Sequence, residues 1–236
     1  MSAGRGTVER MAVATARPRA RRPRTGRRLL AHDRSLGVRL VAGADEAGRG
    51  CLAGPLVAAA VCLDVERLSG PRMRPLADLN DSKQHTAERR EELLDAVLAC
   101  AEQVAVCVIP AAEIDRRGLH RSNLAALERV LRRLEPVPEV CLTDGFALAA
   151  SCGLPSRRVI GGDGRSASIA AASIVAKVTR DRLMHRLAAH YPGYGFESHV
   201  GYITPEHTRA VRERGLTPLH RRSFAAMAYE QLDLGL

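Results

Sequence analysis

Three apolar, strand-like segments of this 236-residue chain each end in carboxylates that are followed closely by glycine. VRLVAGADEAG ends in Asp45 and Glu46, PEVCLTDG ends in Asp144, and RRVIGGDG ends in Asp163. Ligands of open α/β sheets bind at strand ends, so we expect neighbouring strands that bring these four acids together. Any one of the acids taken alone would more often cap a helix or start a turn. Three such strand ends in one chain favour a shared site.

Converging carboxylates repel one another, and their pKa values rise unless a cation neutralises them. A ligand set made only of oxygens, without His or Cys, favours Mg²⁺ or Mn²⁺. Two such ions about 3.5–4 Å apart assist in-line displacement at phosphorus, one activating water and the other stabilising the leaving oxygen. The pattern therefore indicates a divalent-metal site suited to phosphoryl chemistry, with two ions expected during catalysis.

The order of the predicted elements indicates a single α/β or mixed α+β domain. Apolar periodicity predicts five strands, which lie within 38–48, 54–65, 103–110, 138–148 and 158–164. Helices are predicted after Thr86, up to Pro136, over ASIAAASIVAKVTRDRLMHRLAAHY and from Pro205. The first strands form a meander-like group, and the later ones alternate with helices.

The positive charge of the chain is concentrated at its N-terminus. Residues 1–28 contain nine arginines and one glutamate, which accounts for +8 of the net charge of +10. Such a segment buries little apolar surface, so we predict a disordered Arg-rich tail over 1–37 and a catalytic domain over 38–236. A tail of this kind can hold phosphates non-specifically.

Composition also bears on location. No uninterrupted apolar run reaches the roughly 18 residues of a membrane helix. The six cysteines show no CxxC spacing and lie mostly in apolar stretches, which is typical of reduced, buried thiols. We therefore expect a cytoplasmic protein that does not associate with a membrane.

Six segments of the chain resemble, in order and spacing, the signature segments of the bacterial ribonuclease HII family: GADEAGRGCLAGPLVAAAV, NDSK, TDG, GGDGRSASIAAASIVAKVTRDRLM, YPGYGFESHVGYITPEH and HRRSF. Together they cover nearly everything from 40 to 225. The resemblance implies a ribonuclease-H-like fold, in which helices flank a five-stranded mixed sheet and a helical extension follows at the C-terminus. It also implies an endoribonuclease that cuts the RNA strand of RNA–DNA hybrids. Such an enzyme further cuts on the 5′ side of ribonucleotides embedded in duplex DNA, leaving 3′-hydroxyl and 5′-phosphate ends.

The resemblance also implies roles for single residues. The metal-binding and catalytic positions are Asp45, Glu46, Asp144 and Asp163, and the metal is Mn²⁺ or Mg²⁺. The substrate-binding positions are Gly48, Arg49, Gly50, Ser82, Lys83 and Tyr202. In that set the glycine backbone reads the ribose 2′-hydroxyl, which is both donor and acceptor, and the tyrosine packs against the sugar. Lys177 and Asp181 are supporting residues on the helix behind the site.

Some points stay open at the level of sequence. Asp45 and Glu46 point to opposite sides of a strand, so both reach metal only if the chain turns or one of them acts through water or backbone geometry. Arg49 is either a phosphate contact or a partner of a site carboxylate. Three arginines of the long helix either line a duplex track or form a solvated face: Arg180, Arg182 and Arg186. Three histidines are interpreted as ordinary polar groups without a metal or general-base role: His199, His207 and His220.

The expected partners are RNA–DNA hybrids and duplex DNA that contains ribonucleotides. We expect a monomer, and binding to a sliding clamp is left open. Two other functions compete with this one. One is a non-catalytic basic protein that coats nucleic acid through its tail, and the other is a nuclease of the same fold that cuts all-DNA duplexes.

Overall fold

A five-stranded mixed sheet forms the centre of the protein, whose computed structural model describes residues 25–224. The strands are β1 (Leu40–Ala47), β2 (Leu56–Asp64), β3 (Gln103–Ile109), β4 (Val140–Asp144) and β5 (Ser156–Val159). They lie in the order β3-β2-β1-β4-β5. The pairs β1–β2 and β2–β3 are antiparallel, while β1–β4 and β4–β5 are parallel. The predicted mixed five-stranded sheet is confirmed.

Helices cover both faces of the sheet. They are α1 (Thr25–Arg34), α2 (Ala87–Cys100), α3 (Ala111–Arg117), α4 (Leu119–Leu131), α5 (Ala167–Ala188), α6 (Phe196–His199) and α7 (Pro205–Arg214). Side-chain hydroxyls cap three of them as expected for Ser and Thr: Thr86 caps α2, Ser166 caps α5 and Thr204 caps α7. No helix within 25–224 combines the length and the apolar character needed to cross a bilayer.

The alternation of side chains along β1 divides the core into two layers. Val41 and Ala47 face the layer that contains α1, α2 and α5, whereas Ala42 and Ala44 face the layer that contains α4. The long helix α5 lies very close to β1, because a Cβ at Gly43 would overlap the backbone of Ser168 and Ile169. This close approach fixes α5 directly behind the strand that carries the first two acids.

A third apolar cluster joins the C-terminal elements to the end of α5. Met184 of α5 packs there with Tyr194, Phe196, Val200 and Ala210. The predicted C-terminal helical extension is therefore folded against the domain at least as far as residue 224.

The predicted boundary of the disordered tail is wrong, because its last part is folded. Helix α1 buries Leu29 and Leu30 in the core, with exposed fractions of 0% and 2%. The buried carboxylate of Asp33 accepts a hydrogen bond from the backbone N–H of Ser168, at 2.8 Å, and so ties α1 to the start of α5. The arginines of this segment masked its amphipathic pattern in the sequence. The rest of the predicted tail, residues 1–24, lies outside the described residues.

We predict that Leu29→Ala lowers the free energy of unfolding by about 2–5 kcal/mol, because it opens a cavity in the core. Urea denaturation followed by circular dichroism measures the loss. Arg27→Ala, at an exposed position of the same helix, is the matched control and should leave stability nearly unchanged. Equal stability of Leu29→Ala and the unmodified chain would mean that α1 does not belong to the folded domain.

Candidate metal centre

Three carboxylates meet at one edge of the sheet. Asp45, Asp144 and Asp163 each offer a carboxylate oxygen, and these oxygens all lie within 4.8 Å of one another. Asp45 comes from β1, Asp144 ends β4, and Asp163 lies in a 3₁₀ turn (Gly162–Gly164) after β5. Because β1, β4 and β5 are adjacent and parallel, their carboxyl ends share this edge. We call these three residues the acidic cluster.

Asp45 is the most deeply buried member of the acidic cluster, with 6% of its surface exposed. The backbone N–H of Glu46 donates to its Oδ1 at 2.8 Å, and the hydroxyl of Ser173 on α5 also hydrogen-bonds its carboxylate. Burial raises the pKa of Asp45 well above its ordinary value, and the charges of Glu46 and Asp144 raise it further. A nearby cation would reverse this shift.

Ser82, predicted to bind substrate, does not present its hydroxyl to a ligand. Its side chain is buried, with 3% exposed, and its Oγ lies 2.9 Å from the Oγ of Ser173. Since Ser173 in turn donates to Asp45, the Ser82 hydroxyl supports the acidic cluster from behind. A substrate contact at Ser82 would therefore come from its backbone or its segment rather than from this hydroxyl, and the predicted substrate-binding role of Ser82 stays a prediction.

The other two members of the acidic cluster are held by short local contacts. The backbone N–H of Gly162 donates to Asp144 Oδ1 at 2.7 Å. Lys83 places its Nζ 3.7 Å from Asp163 and 3.8 Å from Asp81. Burial raises the pKa of Asp163, and the charges of Asp81 and Asp144 add to the effect. The ammonium of Lys83 is mostly exposed, so it lies at the rim of the cluster and faces solvent.

Glu46 is the predicted ligand that the structure does not place in the acidic cluster. Strand β1 continues through Ala47, so Glu46 points to the α4 side of the sheet while Asp45 points to α5. Its Oε2 is buried and has no hydrogen-bond partner among the described residues. Burial raises the pKa of Glu46 to about 7, although Arg49 and the amide of Asn123 lower it.

Asn123 is a second unsatisfied group beside Glu46. It lies on α4, is fully buried, and its amide is close enough to Glu46 to lower the pKa of that carboxyl, yet neither its nitrogen nor its oxygen completes a hydrogen bond of normal geometry within the described structure. Buried polar atoms are nearly always paired with protein, water or an ion. The polar atoms of Glu46 and Asn123 are thus suited to bind water or a hydrated cation.

The donor set of the site fits a hard divalent cation. All its ligand atoms are carboxylate oxygens, and the pKa values of Asp45, Glu46 and Asp163 are all raised. Such a set stays fully ionised near neutral pH only with a positive charge among its members. Mg²⁺ and Mn²⁺ prefer these ligands.

The residues Gly48–Arg49–Gly50, here called the glycine turn, follow β1 directly. Gly48 has φ of +87°, and a Cβ there would overlap the side chain of Arg180, so the protein's own packing requires glycine at 48. At Gly50 a Cβ would meet no atom within 4 Å. Arg49 stacks its guanidinium over the ring of Phe146, 4.7 Å from the centroid, and its charge lowers the pKa of Glu46.

Two buried arginines hold the segment after the glycine turn. Arg180 donates to the carbonyls of Ala53, Pro55 and Val200 at 2.9–3.0 Å. Arg221 donates to the carbonyls of Gly54 and Arg49 at 2.9–3.1 Å. Both side chains are fully buried.

These contacts settle one alternative that the sequence left open. Arg180 does not line a duplex track, whereas Arg182 is exposed and pairs with Glu91. Arg180 instead connects the segment after the glycine turn, at Ala53 and Pro55, to the carbonyl of Val200.

Tyr202 lies beside the glycine turn and remains 40% exposed. The N–H of Ala53 donates to the carbonyl of the preceding Gly201 at 3.2 Å. The Lys177 ammonium lies 5.2 Å from the centre of the Tyr202 ring and pairs with Asp181 at 2.9 Å. The two predicted supporting residues therefore lie at Tyr202 and not at the acidic cluster.

Sequence reasoning missed three polar residues that surround the acids: Asp81, Asn123 and Ser173. Asp81 could have been found from the sequence, because it lies in the NDSK segment that carries the family resemblance. Asn123 lay in a helix whose leucines drew the interpretation toward core packing, and Ser173 stood in a run of small residues. Only the packing of α4 and α5 on the sheet brings these two side chains to Glu46 and Asp45.

Comparisons with known proteins establish the family of the chain. The family model for ribonuclease HII matches residues 42–227. Ribonuclease HII from Geobacillus kaustophilus is 47% identical over 227 residues, which is 94% of this chain and 84% of that protein.

Two solved structures are also similar. Ribonuclease H2 from Pyrococcus horikoshii has a TM-score of 0.67 at 29% identity, over 78% of this chain and 93% of that one. Ribonuclease HII from Archaeoglobus fulgidus, solved as a complex with PCNA, has a TM-score of 0.67 at 26% identity, over 80% of this chain and 95% of that one.

We predict that the metal-free protein loses stability as pH rises through the pKa of Glu46. The folded-state pKa of about 7 exceeds the ordinary 4.5, so between these values the folded chain holds a proton that the unfolded chain releases. The free energy of unfolding therefore falls with rising pH. Thermal unfolding in EDTA at several pH values measures the slope, and added Mg²⁺ should stabilise the protein more at high pH than at low pH.

Glu46→Gln is the matched variant for this measurement, because it removes the titrating group and keeps the shape. In this variant the free energy of unfolding should fall less between about pH 5 and pH 7, the range between the unfolded-state and folded-state pKa values of Glu46. A slope as steep as that of the unmodified chain would contradict the assignment.

Proposed function

Since the chain belongs to the ribonuclease HII family and is a metal-dependent endoribonuclease that cleaves the RNA of RNA–DNA hybrids, we propose that it also cuts at single ribonucleotides embedded in duplex DNA. The cut falls on the 5′ side of the ribonucleotide and leaves 3′-hydroxyl and 5′-phosphate ends. Asp45, Asp144 and Asp163 serve as its catalytic residues that bind metal directly, and Glu46 completes this catalytic, metal-binding set through water.

The observation that carries this proposal is the acidic cluster, whose three carboxylates lie within 4.8 Å of one another. Two Mg²⁺ or Mn²⁺ ions bound there would supply an activated water and stabilise the leaving oxygen. Asp45, Asp144 and Asp163 would hold the ions directly. Glu46 and Asn123, on the other face of β1, have free donor and acceptor atoms with which to orient water beside them.

Lys83 is suited to bind the phosphate next to the scissile bond. Its ammonium lies at the rim of the acidic cluster, 3.7 Å from Asp163, and is mostly exposed. The charges of Asp81 and Asp163 raise its pKa against the opposing effect of burial, so it stays protonated at the pH of catalysis. A compact, hydrated ammonium can move from these carboxylates to a phosphate oxygen as substrate arrives.

The glycine turn and Tyr202 are suited to tell RNA from DNA. Packing within the protein requires glycine at 48 but leaves open space at 50, which fits close approach of a substrate to the backbone of Gly50. The partly exposed ring of Tyr202 lies next to this turn and can pack against the sugar. A backbone group and a ring edge at one nucleotide can together read a single 2′-hydroxyl.

We further propose that the chain acts as a monomer in the cytoplasm, where its six unpaired cysteines would stay reduced. Its catalytic domain, placed at 38–236 from the sequence, is extended to include helix α1. Its nucleic-acid partners are RNA–DNA hybrids and ribonucleotide-containing duplex DNA. A sliding clamp is a further partner to test, because one structural relative was solved with PCNA.

The test of the metal role is Asp144→Asn. Asparagine can still accept the hydrogen bond from Gly162 but carries no charge, so we expect cleavage with Mg²⁺ to fall at least about a hundredfold while hybrid binding and thermal stability persist. A labelled duplex with one ribonucleotide, incubated with and without Mg²⁺, gives the rate. Asp95→Asn, at an exposed position of α2, is the control; substantial cleavage by Asp144→Asn would refute the metal role of Asp144.

The test of sugar recognition compares two glycines of one turn. Gly50→Ala should fold as stably as the unmodified chain yet cut the single-ribonucleotide duplex about tenfold or more slowly, since its methyl group intrudes on the substrate. Gly48→Ala should instead lower stability, because its φ is positive and its Cβ meets Arg180.

An all-DNA duplex of the same sequence completes this comparison. It should resist the enzyme, and its cleavage would favour the alternative nuclease with the same fold. Unchanged cleavage by Gly50→Ala would show that substrate does not approach that backbone.

A further inference from the structure

Three buried histidines lie behind Tyr202. His199 ends α6, His207 lies in α7, and His220 precedes Arg221 near the end of the described chain. Their exposed fractions are 8%, 0% and 2%. The rings of His199 and His207 stack with centroids 4.4 Å apart, and all three pack around Phe196.

The hydrogen bonds of His207 and His220 leave a single arrangement of protons for two neutral rings. The backbone N–H of Thr217 donates to His220 Nδ1 at 2.9 Å, so the proton of His220 is on Nε2. That Nε2 lies 3.1 Å from Nε2 of His207, which must accept. His207 therefore carries its proton on Nδ1 and donates it to the carbonyl of Tyr202 at 2.8 Å.

The donor-to-acceptor direction of these hydrogen bonds is fixed independently at the Thr217 end and at the Tyr202 end. A backbone N–H can only donate and a carbonyl oxygen can only accept, and the two rings between them satisfy both conditions without an unpaired nitrogen. Burial lowers the pKa of His207, and it lowers the pKa of His220 to about 4, which keeps both rings neutral.

The segment that these rings hold is strained. Val200 has φ of +45° and is the one non-glycine residue between 25 and 224 with a positive φ, a costly conformation for a β-branched side chain. Gly201 donates its N–H to His199 Nδ1 at 3.2 Å, and Arg180 binds the Val200 carbonyl. Contacts from side chains behind the segment thus fix the backbone on both sides of the Tyr202 ring.

We propose that His207, backed by His220, is a positioning residue that aims the Tyr202 ring at the ribose of the substrate. The inference rests on the sugar-packing role proposed for Tyr202. It accounts for two buried histidines that touch neither the acidic cluster nor the glycine turn by any hydrogen bond among the described residues. The substrate class concerned is a duplex whose recognition depends on one ribose.

Two variants at one position separate positioning from packing. The amide of Asn in His207→Asn reaches the Nδ1 position and can still donate to the Tyr202 carbonyl, whereas the amide of Gln in His207→Gln reaches the Nε2 position and can pair only with His220. Both lose the stacked ring. We expect similar losses of thermal stability, but about a tenfold lower kcat on a single-ribonucleotide duplex only for His207→Gln.

A double-mutant cycle with Tyr202→Ala tests whether His207 affects cleavage through the Tyr202 ring. If His207 acts through the ring, His207→Gln slows the unmodified chain but slows the Tyr202→Ala variant no further. Equal slowing in both backgrounds overturns the inference. Should Tyr202→Ala itself cut this substrate at the normal rate, the proposed role of Tyr202 fails first, whatever the histidine variants do.

Nitrogen-15 NMR of the unmodified protein provides a measurement that needs no variant to fold. At neutral pH the spectrum should show His207 protonated on Nδ1 and His220 protonated on Nε2. The opposite tautomer at either ring, or a charged ring, overturns the chain of bonds on which the positioning depends.

Discussion

Repulsion among the carboxylates at one edge of the sheet is the constraint around which the rest of the molecule is arranged. Asp45, Asp144 and Asp163 lie within 4.8 Å of one another, an arrangement that isolated anions would not adopt. Neutral donors hold Asp45 and Asp144 there, namely the backbone amides of Glu46 and Gly162 and the hydroxyl of Ser173, while the ammonium of Lys83 lies 3.7 Å from Asp163. A divalent cation is what this preorganised set of oxygens still requires, and the family to which the chain belongs is metal-dependent.

Two buried arginines, Arg180 and Arg221, connect this edge of the sheet to the segment that carries Tyr202. Arg180 reaches from α5 to carbonyls on both sides of the active-site surface, at Ala53 and Pro55 and at Val200. Among the described residues neither it nor Arg221 forms a salt bridge; backbone carbonyls accept the hydrogen bonds of both guanidinium groups, and the rings of Tyr202 and Phe224 lie beside them. The rigid guanidinium of Arg carries five N–H donors and can bind several carbonyls at once, whereas the compact ammonium of Lys has only three. The glycine turn and the strained segment at Val200 are thereby held as one unit, with Tyr202 between them.

Much of the fold followed from local pattern. The five strands, the N-cap at Thr86, and the long small-residue helix α5 were all predicted, because each rests on periodicity within one segment. The folded part of the N-terminal segment was missed for the opposite reason. Helix α1 is stabilised by Leu29 and Leu30 in a core formed by distant elements and by Asp33 at the start of α5, whereas its own composition resembles that of a disordered tail.

The sequence by itself determined the candidates for the chemistry: the acids at three strand ends, the glycine turn, and the recognisable segments around Lys83 and Tyr202. Tertiary structure decided how they are used. The two-residue period of β1 directs Glu46 away from the acidic cluster, and the packing of α5 places the Ser82 hydroxyl behind Asp45. The hydrogen bonds from His220 through His207 to the Tyr202 carbonyl form only where α7 meets the C-terminal loop. These outcomes depend on which faces of distant elements come into contact, and no pattern within a single segment encodes that information.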